Sequence, residues 1–108
     1  CSLDNLNLDA HFNFSIFQRL NMLNLNKNNI SIIKQHYFSQ LSRLLYLYLN
    51  FNTIKTIELN SFSNIITLWH LYLENNQLKS IKHSMFSKFI NTFHITRIYL
   101  NNNFIEEY

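Results

Sequence analysis

Residues 44–76 read LLYLYLNFNTIKTIELNSFSNIITLWHLYLENN, and within this stretch one pattern begins at Leu44 and begins again at Leu68. Its eight fixed positions are first filled by Leu44, Leu47, Leu49, Asn52, Ile54, Ile57, Phe62 and Ile65. They are filled one repeat later by Leu68, Leu71, Leu73, Asn76, Leu78, Ile81, Phe86 and Phe89, and one repeat earlier by Leu20, Leu23, Leu25, Asn28, Ile30, Ile33, Phe38 and Leu41. A fixed period in the twenties predicts a solenoid in which each repeat forms one coil.

The spacing within one repeat predicts a short strand and then a turn. A single residue separates Leu47 from Leu49, which is the alternation of a strand with one buried face. Asn52 follows where the chain leaves this strand, and its carboxamide can bond backbone groups that the turn leaves unpaired. We therefore expect a ladder of stacked asparagines along the solenoid. Its members are Asn28, Asn52, Asn76 and Asn103.

The pattern LxxLxLxxNxIxxIxxxxFxxLxx, found without a gap at residues 20–43 and 44–67, resembles the typical leucine-rich repeat of animal extracellular and cell-surface proteins. The resemblance covers nearly the whole chain. It implies an α/β leucine-rich-repeat solenoid, a right-handed horseshoe with a parallel β-sheet on the concave face. Irregular or short helical segments would form the convex face. Such a coil buries its apolar row only against stacked neighbours.

The chain of 108 residues is one domain of this kind. We expect an irregular or truncated first coil at 1–19, repeats at 20–43, 44–67 and 68–94, and a partial repeat at 95–108. The repeat at 68–94 is about three residues longer than the others, and we expect the excess at 89–93 to bulge from the convex side. Extracellular members of the family usually end in cysteine-rich caps. Because Cys1 is alone and no starting Met or signal peptide is present, we expect a fragment whose full protein supplies neighbouring repeats or caps.

The composition contains 47% apolar residues, enough for a core, but no glycine and no proline. Asparagine tolerates left-handed backbone better than other residues with a side chain, so we expect Asn and Ser to form the turns. The excess of Asn, Ile, Phe, Tyr, Leu and Lys is consistent with AT-rich coding. For that reason the composition itself supports no functional prediction.

Residues between the buried leucines of each strand are expected to point out onto the concave face. Tyr48, Tyr72 and Tyr99 share one column of that face, and strands about 4.8 Å apart predict a stacked row of three rings. Large exposed aromatics favour protein recognition. Aromatic residues also suit strands and pair with neighbours without any partner. The residues expected to bind a partner are Tyr46, Tyr48, Trp69, His70, Tyr72, Glu74, Arg97 and Tyr99.

These observations predict a non-enzymatic module that binds a protein partner, within a secreted or cell-surface receptor. One alternative is an intracellular, cytoplasmic scaffold or regulatory docking subunit, which the absence of disulfide caps favours. Another is a structural spacer within a longer horseshoe. The sequons at Asn13 and Asn29 would accept glycans in a secreted protein, although two such triplets arise by chance in a chain this rich in asparagine.

Other functional classes lack their sequence features. His70 and Glu74 share a face, but no nucleophile or orienting group accompanies them, so we expect no catalytic site and no cofactor. The histidines have no metal-ligand spacing, so we expect no metal site. A formal charge of +3 is compatible with nucleic-acid binding. However, the lysines are predicted on the loops and convex side, with only Arg97 on the aromatic face, so we expect no nucleic-acid site. No apolar run is long enough to span a membrane.

Overall fold

The computed structural model describes residues 19–39, 41–63, 65, 67–81 and 97–106, and these contain six short parallel-paired strands. In chain order they are β1 (Met22–Asn24), β2 (Ile32–Ile33), β3 (Tyr46–Tyr48), β4 (Thr56–Ile57), β5 (His70–Tyr72) and β6 (Arg97–Tyr99). Four of them form one sheet in the order β1-β3-β5-β6, and β2 pairs with β4 in a second sheet. The predicted solenoid with a parallel sheet is therefore confirmed.

The register of the larger sheet follows the repeat. Met22 lies opposite Tyr46, and Tyr46 lies opposite His70, so each step across these strands is one repeat along the chain. His70 lies opposite Arg97, so the connection from β5 to β6 is three residues longer than the connections before it. Residues 89–93, where the sequence predicts an insertion, lie outside the described residues, as does almost all of the irregular first coil predicted at 1–19.

The smaller sheet lies in the return half of each coil, where the sequence predicted irregular or short helical segments. Ile33 pairs with Ile57, and the Glu58 N–H donates to the Ile33 carbonyl at 2.9 Å. Turns follow at 35–39 and 59–63, and the described ranges contain no helix. The return segments are thus of the irregular kind, with two-residue strands where successive coils stack in register. Their backbone groups would otherwise be unpaired, so adjacent coils bond to each other.

The core lies between the two sheets and consists of columns of equivalent residues. Leu23, Leu47 and Leu71 point inward from the larger sheet and are fully buried. In the return half, the rings of Phe38 and Phe62 stack with centroids 6.0 Å apart and planes 9° apart. Phe86, the next predicted member of that column, lies outside the described residues. Burial of these columns between coils is the main source of stability in such an array.

The turn before each ladder asparagine takes a left-handed backbone, and not always at asparagine. Positive φ angles occur at the same place in four coils: 61° at Lys27, 57° at Phe51, 60° at Asn75 and 60° at Asn102. The prediction that Asn and Ser would form the turns therefore does not account for Lys27 and Phe51. The coil geometry demands this conformation whatever the side chain. The left-handed conformation costs roughly 1–2 kcal/mol for a residue with a side chain, because its Cβ atom lies too close to the carbonyl oxygen.

Candidate functional site

The four-stranded sheet turns one face to the core and the other, here called the outer face, away from it. In β3 and β5 the middle residue is buried, while the residues on either side are half-buried and point outward. Because the strands are in register, outward side chains form three columns across the sheet. The columns are Met22, Tyr46, His70 and Arg97; Asn24, Tyr48, Tyr72 and Tyr99; and Asn26, Asn50, Glu74 and Asn101.

The middle column contains three tyrosine rings in a stack, here called the tyrosine row. The Tyr48 and Tyr72 centroids are 4.4 Å apart with planes 2° apart, and the Tyr72 and Tyr99 centroids are 4.7 Å apart with planes 3° apart. These distances match the spacing of neighbouring strands, so the sheet itself sets the stack. Each ring covers the face of the next one. The row therefore offers ring edges and hydroxyl groups to a partner more than ring faces.

A second aromatic group lies beside the tyrosine row. The rings of Tyr46 and His70 stack at 5.4 Å with planes 8° apart, and Trp69 meets Tyr46 edge-on at 6.3 Å. His70 Nδ1 lies 3.2 Å from the Tyr99 hydroxyl oxygen, which links this group to the row. The Trp69 side chain is 42% exposed. Together the two groups make one continuous aromatic surface across β3, β5 and β6.

Tyr72, at the centre of the row, stays protonated to unusually high pH. Burial of its phenol among the neighbouring rings raises the pKa to about 12 from the ordinary 10.0. Tyr48 adds to the shift through its charge when ionised and through a side-chain hydrogen bond, and the charges of Tyr99 and Glu74 act in the same direction. At neutral pH the Tyr72 hydroxyl is therefore a hydrogen-bonding group without charge.

The third column holds two oxygens to which no described residue donates a hydrogen bond. They are Asn50 Oδ1 and Glu74 Oε1, and both atoms are buried. A buried acceptor without a donor costs free energy. Sequence reasoning included Glu74 but missed Asn50 as a site residue. The available signal was the repeat frame, because Asn50 holds the same position after β3 that Glu74 holds after β5.

The ladder asparagines lie at the end of the sheet and hold the coils that display this face. Asn52 Nδ2 donates to the carbonyls of Leu25 at 3.1 Å and Leu49 at 2.9 Å, while its Oδ1 accepts from the Asn28 and Ile30 N–H groups. Asn28, Asn52 and Asn76 are buried, and Asn103 is partly buried. Asn103 Nδ2 donates to the Leu73 and Leu100 carbonyls. The Asn52 and Asn103 carboxamides thus each bond the backbone of their own coil and of its neighbour.

The structure also places other residues that the sequence predicted to be functional. Arg97 is exposed at the β6 end of the outer face, and Glu74 lies beyond the row, just after β5. Among the described residues, no hydrogen bond joins His70 to Glu74, and no group of three or more metal-ligating residues could hold an ion. Asn29 is exposed with a φ of 57°, whereas Asn13 lies outside the described residues. The same residues include no helix capable of crossing a membrane.

Comparisons with known proteins agree with this architecture. A family model described as leucine rich repeat matches residues 18–78. Among solved structures, the chain is similar to the leucine-rich repeat domain of APL1B, with a TM-score of 0.76 and 21% sequence identity. That match covers 94% of this chain but only 28% of the APL1B chain, and at this identity it shows a shared fold alone. No curated protein matches the sequence.

Proposed function

The chain belongs to the leucine-rich-repeat family, and from this premise we propose that it recognises a protein partner through the aromatic surface on its outer face. Leucine-rich repeats in general form non-enzymatic binding modules, and their sites lie on a fold that many functions share. We place the site on the face that the sequence predicts to be concave. The full protein would be a secreted or cell-surface receptor.

One observation carries the proposal. Five aromatic side chains, Tyr46, Tyr48, Trp69, Tyr72 and Tyr99, gather on the side of the sheet that does not face the core. Tyrosine and tryptophan provide rigid contact area with a polar end, and they dominate the energetics of protein interfaces. Stacked rings lose little side-chain entropy on binding because the neighbouring rings already restrict them.

The polar groups around the aromatic surface support the same function. Glu74 and Arg97 give the face one negative and one positive side chain, on different sides of the tyrosine row. The unpaired oxygens of Asn50 and Glu74 are acceptors that donors of a partner would satisfy after a small rotation of the side chains. Such pairs fix the register of an interface more than its affinity.

The test uses a random-peptide display library, selected against the 108-residue chain. Peptides that bind the proposed surface should lose about 2 kcal/mol or more of affinity, roughly thirtyfold, for Tyr72→Ala. Leu59→Ala is the matched control, because Leu59 is 58% exposed in the turn after β4. Both variants are checked first for an unchanged far-ultraviolet circular dichroism spectrum. Selected peptides that bind Tyr72→Ala as tightly as the parent, and depend on Leu59 instead, would contradict the proposal.

The proposed location has its own test. Asn29 is exposed, and its sequon is therefore accessible to the glycosylation machinery of a secretory cell. We expect the natural full-length protein, isolated from its own cells, to lose mass on treatment with an N-glycan-cleaving enzyme. The shift should shrink when Asn29 is changed to Gln. A protein that carries no glycan and fractionates with the cytosol would support the intracellular scaffold instead.

A further inference from the structure

A cavity of about 400 Å³ lies in the return half of the coils, outside the four-stranded sheet and its aromatic surface. Three successive coils contribute to its described lining. Lys55 comes from the first, Gln77, Lys79 and Ser80 from the second, and Phe104 from the third. Its volume is within the range of small-molecule and side-chain binding sites, about 300–1,000 Å³.

The polar lining of this cavity is rich in donors. The ammonium groups of Lys55 and Lys79 can only donate, and Gln77 and Ser80 each add a donor. Within the described ranges, neither lysine forms an ion pair. The lysines occupy the same position of the repeat on adjacent coils, and both contribute to the lining of this one cavity. An anion held between the two ammonium groups would form charge-assisted hydrogen bonds with both.

The apolar lining consists of an aromatic ring. The Phe104 side chain is 62% exposed, the largest exposed fraction among the large apolar residues described. Its backbone is held in place, because the Phe104 N–H donates to the Leu78 carbonyl at 3.0 Å. On the neighbouring coil, the backbone of Lys79 is held by the Glu106 N–H, which donates to the Lys79 carbonyl at 2.7 Å. An exposed ring beside two cations favours a ligand that is both aromatic and anionic.

We propose that this cavity binds an aromatic ring carrying a tetrahedral oxyanion, the chemistry of a phosphorylated or sulfated tyrosine side chain. Lys55 and Lys79 hold the oxyanion, and Phe104 packs against the ring. An inorganic anion would leave the Phe104 wall uncovered. The site is separate from the tyrosine row, so it is independent of the function proposed for the outer face.

The probes are phenyl phosphate, phenyl sulfate, inorganic phosphate and phenol, each titrated into the 15N-labelled chain and followed by amide chemical shifts. We expect the amides of residues 77–80 and 104 to shift, and phenyl phosphate or phenyl sulfate to bind about tenfold more tightly than inorganic phosphate or phenol. The tighter of the two aryl esters identifies the source of the ligand. Equal affinity for inorganic phosphate and the aryl esters would overturn the proposal, as would shifts confined to other residues.

Variants inside and outside the cavity separate the site from the general positive charge of the chain. The double substitution Lys55→Met and Lys79→Met should weaken aryl-ester binding about tenfold, and Phe104→Ala should remove the preference over inorganic phosphate. Lys27→Met removes a similar exposed charge that lies 5.9 Å from the Phe51 ring, away from the cavity, and should change affinity less than about twofold. A loss for Lys27→Met equal to that of the double variant would refute the site.

Discussion

Replacing Asn76 with alanine removes a side chain that is only 4% exposed and that bonds two coils together. Its Nδ2 donates to the carbonyls of Leu49 and Leu73, both at 3.0 Å, and to that of Glu74 at a longer 3.3 Å. Its Oδ1 accepts from the Ile54 N–H at 3.0 Å. Alanine keeps none of these bonds, so we expect Asn76→Ala to destabilise the fold strongly.

The substitution does not affect all the backbone groups that bond to Asn76 equally. The Leu49 carbonyl keeps a bond from Asn52 at 2.9 Å, and the Leu73 carbonyl keeps one from Asn103 at 3.0 Å. The Ile54 N–H has no other acceptor among the described residues. An unpaired buried donor costs about 1–3 kcal/mol, and a lost bond to a carbonyl that stays paired costs about 0.5–1.5 kcal/mol. We expect a total loss of about 3 kcal/mol in the free energy of unfolding.

Urea unfolding followed by circular dichroism measures this loss, and amide hydrogen exchange locates it. The Ile54 amide should exchange much faster in Asn76→Ala than in the parent. Asn101→Ala is the control, because Asn101 is exposed and its side chain forms no hydrogen bond among those described, so it should change stability by less than about 0.5 kcal/mol. If Asn76→Ala unfolded within that same margin of the parent, or left Ile54 exchange unaltered, the ladder would not stabilise the coils as argued.

Three further outcomes test other parts of the structure. In an ultraviolet titration, Tyr72 should ionise near pH 12, and Tyr72→Phe should abolish this late phase. Because the folded-state pKa exceeds the unfolded value of 10.0, the stabilising contribution of Tyr72 is complete below pH 10 and is lost as the pH rises through 12. A parent that titrates wholly near pH 10 would contradict the burial of this phenol. Phe51→Asn should raise the free energy of unfolding by about 1 kcal/mol, since asparagine accepts the left-handed conformation more easily, as at Asn75; a lower Tm would argue against this. Phe62→Ala should cost about 3–5 kcal/mol in urea unfolding because the ring is 1% exposed and stacks on Phe38, and a cost below about 1 kcal/mol would exclude it from the core.

The repeat made much of this fold predictable. A constant repeat length, together with the single residue that separates Leu47 from Leu49, is enough to assign the strand, its parallel neighbours and its inward face. The Tyr48 and Tyr72 rings then have to lie about one strand spacing apart, because the register that aligns the leucines also aligns the tyrosines. The return half was less predictable. The strand Thr56–Ile57 is two residues long and carries no periodicity, so it depends on the next coil for its pairing.

Side-chain contacts within the outer face could not be predicted from the period. The period gives the column of each residue, but the bond between His70 and the Tyr99 hydroxyl depends on rotamers that neighbouring rings select. The left-handed φ of Phe51 was missed for a related reason. Residue preference argues against it, but the turn geometry common to four coils overrides the preference. The unpaired oxygens of Asn50 and Glu74 likewise depend on local packing, which one sequence does not encode in an evident pattern.

The asparagine ladder makes the chain a nearest-neighbour array. Asn52 bonds the carbonyls of Leu25 and Leu49, and Asn76 bonds those of Leu49 and Leu73, so neighbouring coils are coupled while distant coils are not. Opening an inner coil breaks bonds on both of its sides, whereas opening a terminal coil breaks them on one side only. Loss of structure therefore begins as fraying at an end and moves inward coil by coil, and the same substitution costs more in the middle of the array than at its margin.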